Sequence, residues 1–155
     1  MLRGYIPKNK LMMIISLITV TISVVIHLLH RQFDFLQEYI ILQGMSLIDG
    51  SDTILLNIFF LIPIVLLIIS YILYKGSDKR FPLFIALTLT FASISTIAGG
   101  NGLIEYHFSI FVVISLIITF QRISLVLVST LLFSIQHFVG FFFFWIFEFN
   151  GHISS

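Results

Sequence analysis

Long apolar runs separated by short polar breaks dominate this chain. Five such runs emerge, at about 11–29, 54–74, 81–98, 103–120 and 123–147. Each is roughly 18–25 residues, enough for a helix to cross a hydrocarbon core about 30 Å thick. Backbone polar groups in lipid must be satisfied within their own segment, so the runs read as helices and not strands. The pattern predicts an all-α fold: one integral membrane bundle of five transmembrane helices over residues 1–155. Pro63 lies inside the second run, where its missing N–H predicts a kink. Pro82 lies near the first turn of the third, where proline is tolerated. Phe141–Phe144 with Trp145 read as an aromatic belt at a membrane interface.

The breaks add topology. Arg31–Thr53 is polar and carries Asp34, Glu38, Asp49 and Asp52, whereas KGSDKR (Lys75–Arg80) is short and basic. GGNG (Gly99–Gly102) is a tight turn, and Gln121–Arg122 is tighter still, so the last two helices form a close antiparallel hairpin. With the N-terminus inside and the C-terminus outside, seven of the eight basic residues fall on the cytoplasmic side, leaving only Arg31 outside. The reverse orientation would place one inside, so the positive-inside rule selects N-in/C-out.

Composition agrees. Of 155 residues, 59% are hydrophobic and 10% charged, where a soluble domain carries about 25% charged residues. Mean hydropathy is +1.13. A surface this apolar needs the lipid bilayer as its partner. The net charge of +1 argues against nucleic acid as a partner, and the absence of cysteine removes disulfide and thiolate chemistry. The basic start MLRGYIPKNK precedes Leu11–Leu29, which is too long for a signal peptide's apolar region and ends in HLLHRQFD, not a small-residue cleavage site.

Ionisable groups inside a membrane are costly and mark candidate sites. His27 and His30 lie near the outer end of the first helix, Glu105 and His107 near the outer start of the fourth, and Gln136 and His137 in the outer half of the fifth. Counting from the Gln121–Arg122 turn, His107 and His137 both sit roughly 22–23 Å from it, and His27 lies at a similar depth. Ser16, Thr19, Ser23, His27 and His30 form a stripe at helical spacing, as do Thr130, Ser134 and His137. Polar stripes are expected to face other helices, so His27 and His137 should face the interior. Glu105 and His107 are about 200° apart and cannot share a face.

Neutral imidazoles ligate transition metals, and paired imidazoles suit haem. The candidate cofactor-binding residues are His107, His137, Glu105 and His27, with His107 and His137 as metal ligands and Glu105 as a further ligand or an orienting partner. Two plainer readings stay open: hydrogen bonds that only hold the bundle together, and a proton-linked switch. His152 in the tail reads as incidental, and Asn57 as a helix–helix contact. The small-residue run TFASISTIAGG (Thr90–Gly100) reads as a packing interface. No phosphate-binding glycine loop, HExxH or nucleophile–base pair occurs, so no enzyme is expected. The inner halves of the last two helices offer only hydroxyls such as Ser115, Thr119 and Ser129, which ranks a channel or transporter last.

The stretch GGNGLIEYHFSIFVVISLIITFQRISLVLVSTLLFSIQHFVG resembles the N-terminal membrane sensory module of bacterial methyl-accepting chemotaxis proteins, diguanylate cyclases and hybrid sensor kinases. That module reads as a glycine turn, E-x-H-F-x-F-F-V, an apolar run, a Y-x-D-W turn, another apolar run and H-H. Glu105, His107, Phe108, Phe111 and Val112 fall on the first motif and His137 on the second histidine of the pair. The KNKLM start and IHLLHR (Ile26–Arg31) are similar to membrane-anchored chemoreceptors of bacilli. Ser109 stands at the second histidine of the family's H-F-H, Gln136 at the first of H-H, and Phe120–Ile123 (FQRI) replaces Y-x-D-W, which removes potential ligands. The resemblance implies a sensor of stimuli in a bacterial cytoplasmic membrane, with a metal or haem as possible cofactor. Family members continue to a cytoplasmic signalling domain. This chain is expected to lack that output domain and to act through a homo-oligomer or a partner signalling membrane protein. The alternative is a structural or interaction subunit without a ligand.

Overall fold

The structure is a computed structural model that describes residues 7–33, 35–42, 52–100, 102–120 and 122–151; of residues 52–57, 141 and 143–151 it describes the backbone. Arg3, Asp34, Asp49 and His152 lie outside the described residues, as do the side chains of Asn57 and of the Phe141–Trp145 belt apart from Phe142.

Among the described residues the chain is helical, without strands: α1 Lys8–Gln32, α2 Gln37–Leu42, α3 Asp52–Lys75, α4 Phe81–Gly99, α5 Ile104–Ile118 and α6 Ile123–Gly151. Four of them (α1, α3, α4 and α6) are long and apolar enough to cross a membrane, which makes the chain a multi-pass membrane protein by length and composition. The large side chains of Leu17, Ile72, Phe108, Leu131 and Phe138 are exposed around the bundle, as lipid contact requires. At 15 residues, α5 is about 22 Å long, shorter than the other four and than a typical hydrocarbon core. α3 runs unbroken through the buried Pro63.

The polar stretch after α1 contains an element that the hydropathy pattern does not predict. Leu36 adopts φ 62°, a left-handed conformation that costs a non-glycine residue about 1 kcal/mol. The chain thereby reverses into the single-turn-and-a-half α2, which buries Ile40.

α4 is the hub: 67% of its membrane-length stretch is buried, against 28%, 11% and 17% for α1, α3 and α6. It packs on α1, α3, α5 and α6. Its two halves differ. Toward the end carrying Lys8, Lys79 and Arg122, here called the basic end, Phe81, Ile85 and Leu89 interlock with Met12, Ile117, Phe120 and Leu125. Toward the other end, here the glycine end, α4 is Ala92–Gly100, almost all small residues. A Cβ on Gly99 would stand 3.3 Å from His27 Cα, so glycine sets the α1–α4 approach. From the middle of α4 onward, hydroxyls connect the helices: Thr88 with Ser70 of α3, Thr90 to Ser129 of α6, and Ser93 with Ser109 of α5. The α4–α5 turn then closes through Gly102, whose φ of +73° favours glycine and whose N–H donates to Ile97 O.

Candidate functional site

The first turn and a half of α5 is a four-way junction. Consecutive helical residues step by about 100°, so neighbouring polar residues point in different directions. Glu105 accepts a hydrogen bond from the Tyr39 hydroxyl of α2 at 2.9 Å. The Tyr106 hydroxyl bonds His30 Nε2 of α1 at 2.8 Å. His107 meets His137 of α6, their ring centroids 5.3 Å apart and their planes at 65°. Ser109 bonds Ser93 of α4. The segment EYHFS thus ties α5 to four other helices through four successive polar side chains.

Each contact has a local cause. Tyr106 lies against Gly100, where a Cβ would collide with its ring, so glycine at the end of α4 is a steric condition for the His30–Tyr106 bond. His30 also meets Phe35 edge-on at 5.9 Å, and its buried Nδ1 has no partner among the described residues. Tyr39 reaches Glu105 because the left-handed turn at Leu36 folds α2 back over the end of the bundle.

The histidine pair has a defined tautomer. His107 Nδ1 lies 3.1 Å from Leu103 O and His137 Nδ1 lies 2.8 Å from Phe133 O. A carbonyl only accepts, so both Nδ1 atoms carry a proton, and in the neutral imidazoles both Nε2 atoms keep their lone pairs. Neither Nε2 has a protein hydrogen-bond partner among the described residues. This is the state in which imidazole binds a metal, with the other nitrogen fixed on the backbone. The 5.3 Å separation discriminates between candidates. With metal–nitrogen bonds of about 2.0 Å, imidazoles on opposite faces of a haem iron have centroids about 6 Å apart, and imidazoles at a tetrahedral angle about 5 Å apart. The centroid separation is closer to the tetrahedral value than to the haem value.

The four candidate residues do not form one site. His27 stacks on Phe60 of α3 at 4.4 Å and abuts Gly99 of α4, placing it at the α1–α3–α4 junction. Glu105 is exposed and turned to α2, as its angular offset from His107 requires. No group of three or more His, Asp or Glu side chains that could hold an ion occurs among the described residues.

One expectation is corrected. The α1 stripe faces inward as expected, with Ser16, Ser23, His27 and His30 buried. The α6 stripe does not: Thr130, Ser134 and His137 are exposed, and the buried face is Leu125, Ser129 and Phe133. The reason is that a hydroxyl needs no partner helix. Ser134 donates to Thr130 O at 2.9 Å, and the exposed Ser115 of α5 donates to Phe111 O at 2.8 Å. His137 likewise satisfies Nδ1 on its own helix. The histidines therefore sit on the α5–α6 surface, with His107 half-buried.

Tyr39 and Tyr106 were not picked out by sequence reasoning. Tyr106 had a signal, a phenol between an intramembrane carboxylate and an imidazole. Tyr39 had none, because its position depends on the turn at Leu36. Comparisons with protein-family models, curated proteins and solved structures find no match to this chain.

Proposed function

We propose that the chain is a membrane-embedded sensory module, resembling chemoreceptor input domains, whose stimulus or cofactor is a tetrahedral transition-metal ion held by His107 and His137. One observation carries the reading: two imidazoles from adjacent helices lie 5.3 Å apart, each with Nδ1 fixed on its own backbone and Nε2 uncommitted. In this reading α5 is a fifth span, and the N-in/C-out orientation puts the pair in the outer half of the bacterial cytoplasmic membrane. Two ligands leave coordination positions open. Because His137 is exposed, a second copy of the chain can supply two more imidazoles across a two-fold axis, completing a four-nitrogen tetrahedron.

The pair also has a route to the rest of the bundle. An ion that draws α5 and α6 together acts on the residues beside His107, and these hold α1, α2 and α4. The ion shifts the helix packing only as far as it binds one arrangement better than the other. The chain's own residues bind and transmit; no chemical step is assigned to them.

The test uses the full chain in detergent. Bound metals are assayed, the absorption spectrum is recorded, and the protein is titrated with Co²⁺ as a stand-in for Zn²⁺. Tetrahedral Co²⁺ bands are expected, and are lost in His107→Ala and in His137→Ala. No metal, no haem and no binding on titration would overturn the sensory reading based on this pair. A second reading, a ligand-free interaction subunit, draws on the exposed apolar flank of Phe108, Phe111 and Phe138 beside His137. It gains if both alanine variants leave partner association unchanged.

A further inference from the structure

The basic end of the bundle holds a cavity of about 410 Å³. Its cations come from three separate parts of the chain: Lys8 at the start of α1, Lys79 in the α3–α4 turn and Arg122 before α6. Its apolar wall is Leu73, Phe81 and Phe120. Lys8 Nζ stands over the Phe120 ring at 5.5 Å, a cation–π contact that holds the ammonium at the rim and leaves its N–H groups free to donate.

The carboxylate at this site, Asp78, is already matched. Both its oxygens accept from Arg80, Oδ2 from Nη2 at 2.9 Å and Oδ1 from the backbone N–H at 2.8 Å. The turn that presents it depends on Ser77 at φ 51°, with Asp78 N–H donating to Leu73 O. With Asp78 paired to Arg80, three cations remain in a lining shared with Leu73, Phe81 and Phe120 at the end of a membrane bundle. Other basic residues of this end stay outside the cavity: Lys75 lies over the Tyr71 ring at 4.9 Å, and Lys10 is not part of the lining.

We propose that this cavity binds the phosphate of an anionic phospholipid, with Lys8, Lys79 and Arg122 around the phosphate and the glycerol backbone against Phe81 and Phe120. Arginine and lysine from separate helices at a membrane surface are the chemistry that recognises such headgroups. The cavity distinguishes this from a diffuse positive surface, because all three cations line one volume. The apolar wall distinguishes it from a site for free phosphate. The proposal is independent of the histidine pair and of any sensory role.

The test is native mass spectrometry of the full chain in detergent, titrated with phosphatidylglycerol or with phosphatidylcholine of the same acyl chains. Phosphatidylglycerol is expected to be retained preferentially. Lys79→Ala/Arg122→Ala should weaken its binding about tenfold or more. Lys10→Ala/Lys75→Ala, which removes the same charge outside the cavity, should change it less than about twofold. Lys79→Arg/Arg122→Lys keeps the charges and should retain binding, which separates a loss of ligand contacts from a loss of fold. Equal loss in the two alanine pairs, or no preference for phosphatidylglycerol, would overturn the proposal. Displacement of the lipid by millimolar inorganic phosphate would overturn the lipid assignment in favour of a soluble phosphate.

Discussion

The two ends of this bundle are held together differently, although the helices look alike in hydropathy. At the basic end, large apolar side chains interdigitate: Phe81, Ile85 and Leu89 of α4 against Met12, Ile117, Phe120 and Leu125. At the glycine end, the α1 backbone approaches Gly99 and the Tyr106 ring lies on Gly100, and the contacts are directional: His30 with Tyr106, Tyr39 to Glu105, Ser93 with Ser109. In lipid, apolarity does not select between buried and exposed positions, because tails are as apolar as leucine. Side-chain size and hydrogen-bonding capacity make the selection. A shape-filled end tolerates little change in volume, whereas a hydrogen-bonded end can lose a contact at modest cost. A device that must shift on binding is better placed at the second.

The largest expected effect tests the shape-filled end. Ile117 is fully buried, and Ile117→Ala should destabilise the bundle by about 2–3 kcal/mol. The cost lies low in the usual range because its transfer part is small in lipid. The exposed Ile72→Ala on α3 should change stability by less than about 0.5 kcal/mol. Thermal denaturation in one detergent checks both, and equal effects would erase the distinction between packed and lipid-facing positions.

Next in size is Gly100→Ala. The new Cβ meets the Tyr106 ring, so Tyr106 must move and release His30, at a cost of about 1–2 kcal/mol. Ultraviolet absorption of the tyrosine should report the altered surroundings. If stability and absorption both stay unchanged, the glycine end is looser than described.

Smaller still is the bond between His30 and Tyr106 taken alone. A double-mutant cycle with His30→Ala and Tyr106→Phe should give a coupling of about 0.6 kcal/mol, the average for hydrogen bonds inside membranes. A coupling several times larger would make this end rigid and reverse the comparison.

The smallest effect belongs to the basic end's surface. The Arg80 guanidinium, then the Arg80 backbone N–H, hold the half-buried Asp78 carboxyl below its ordinary value of 3.8. A lowered folded-state value contributes stability that is present above pH 3.8 and is lost as pH falls through the folded value. Asp78→Asn should therefore flatten the acid limb of the stability–pH profile slightly, and salt should shrink the difference.

The histidine pair was partly legible before any coordinates. Residue counts from the Gln121–Arg122 turn placed His107 and His137 at one depth, and a tight antiparallel hairpin converts equal counts into equal heights. The 200° offset between Glu105 and His107 likewise foretold that they serve different neighbours. Facing was legible on α1 and not on α6. Ser16, Ser23 and His27 are polar and buried, whereas Thr130, Ser134 and His137 are equally regular and exposed. Helical spacing reports that residues share a face; it does not report which way the face points, once hydroxyls and imidazoles can bond the carbonyl one turn back.

Length and hydropathy of the apolar runs determined a multi-pass helical protein, because unsatisfied backbone in lipid leaves no alternative. The glycine turn and the small-residue run were also written in the chain, since each demands a particular residue type. Tertiary structure alone decided that α4 is the hub, that α2 folds back to deliver Tyr39, and that three cations far apart in sequence line one cavity. These are facts about which surfaces meet. They depend on side-chain volumes matched between helices distant in sequence, and no single segment contains that information.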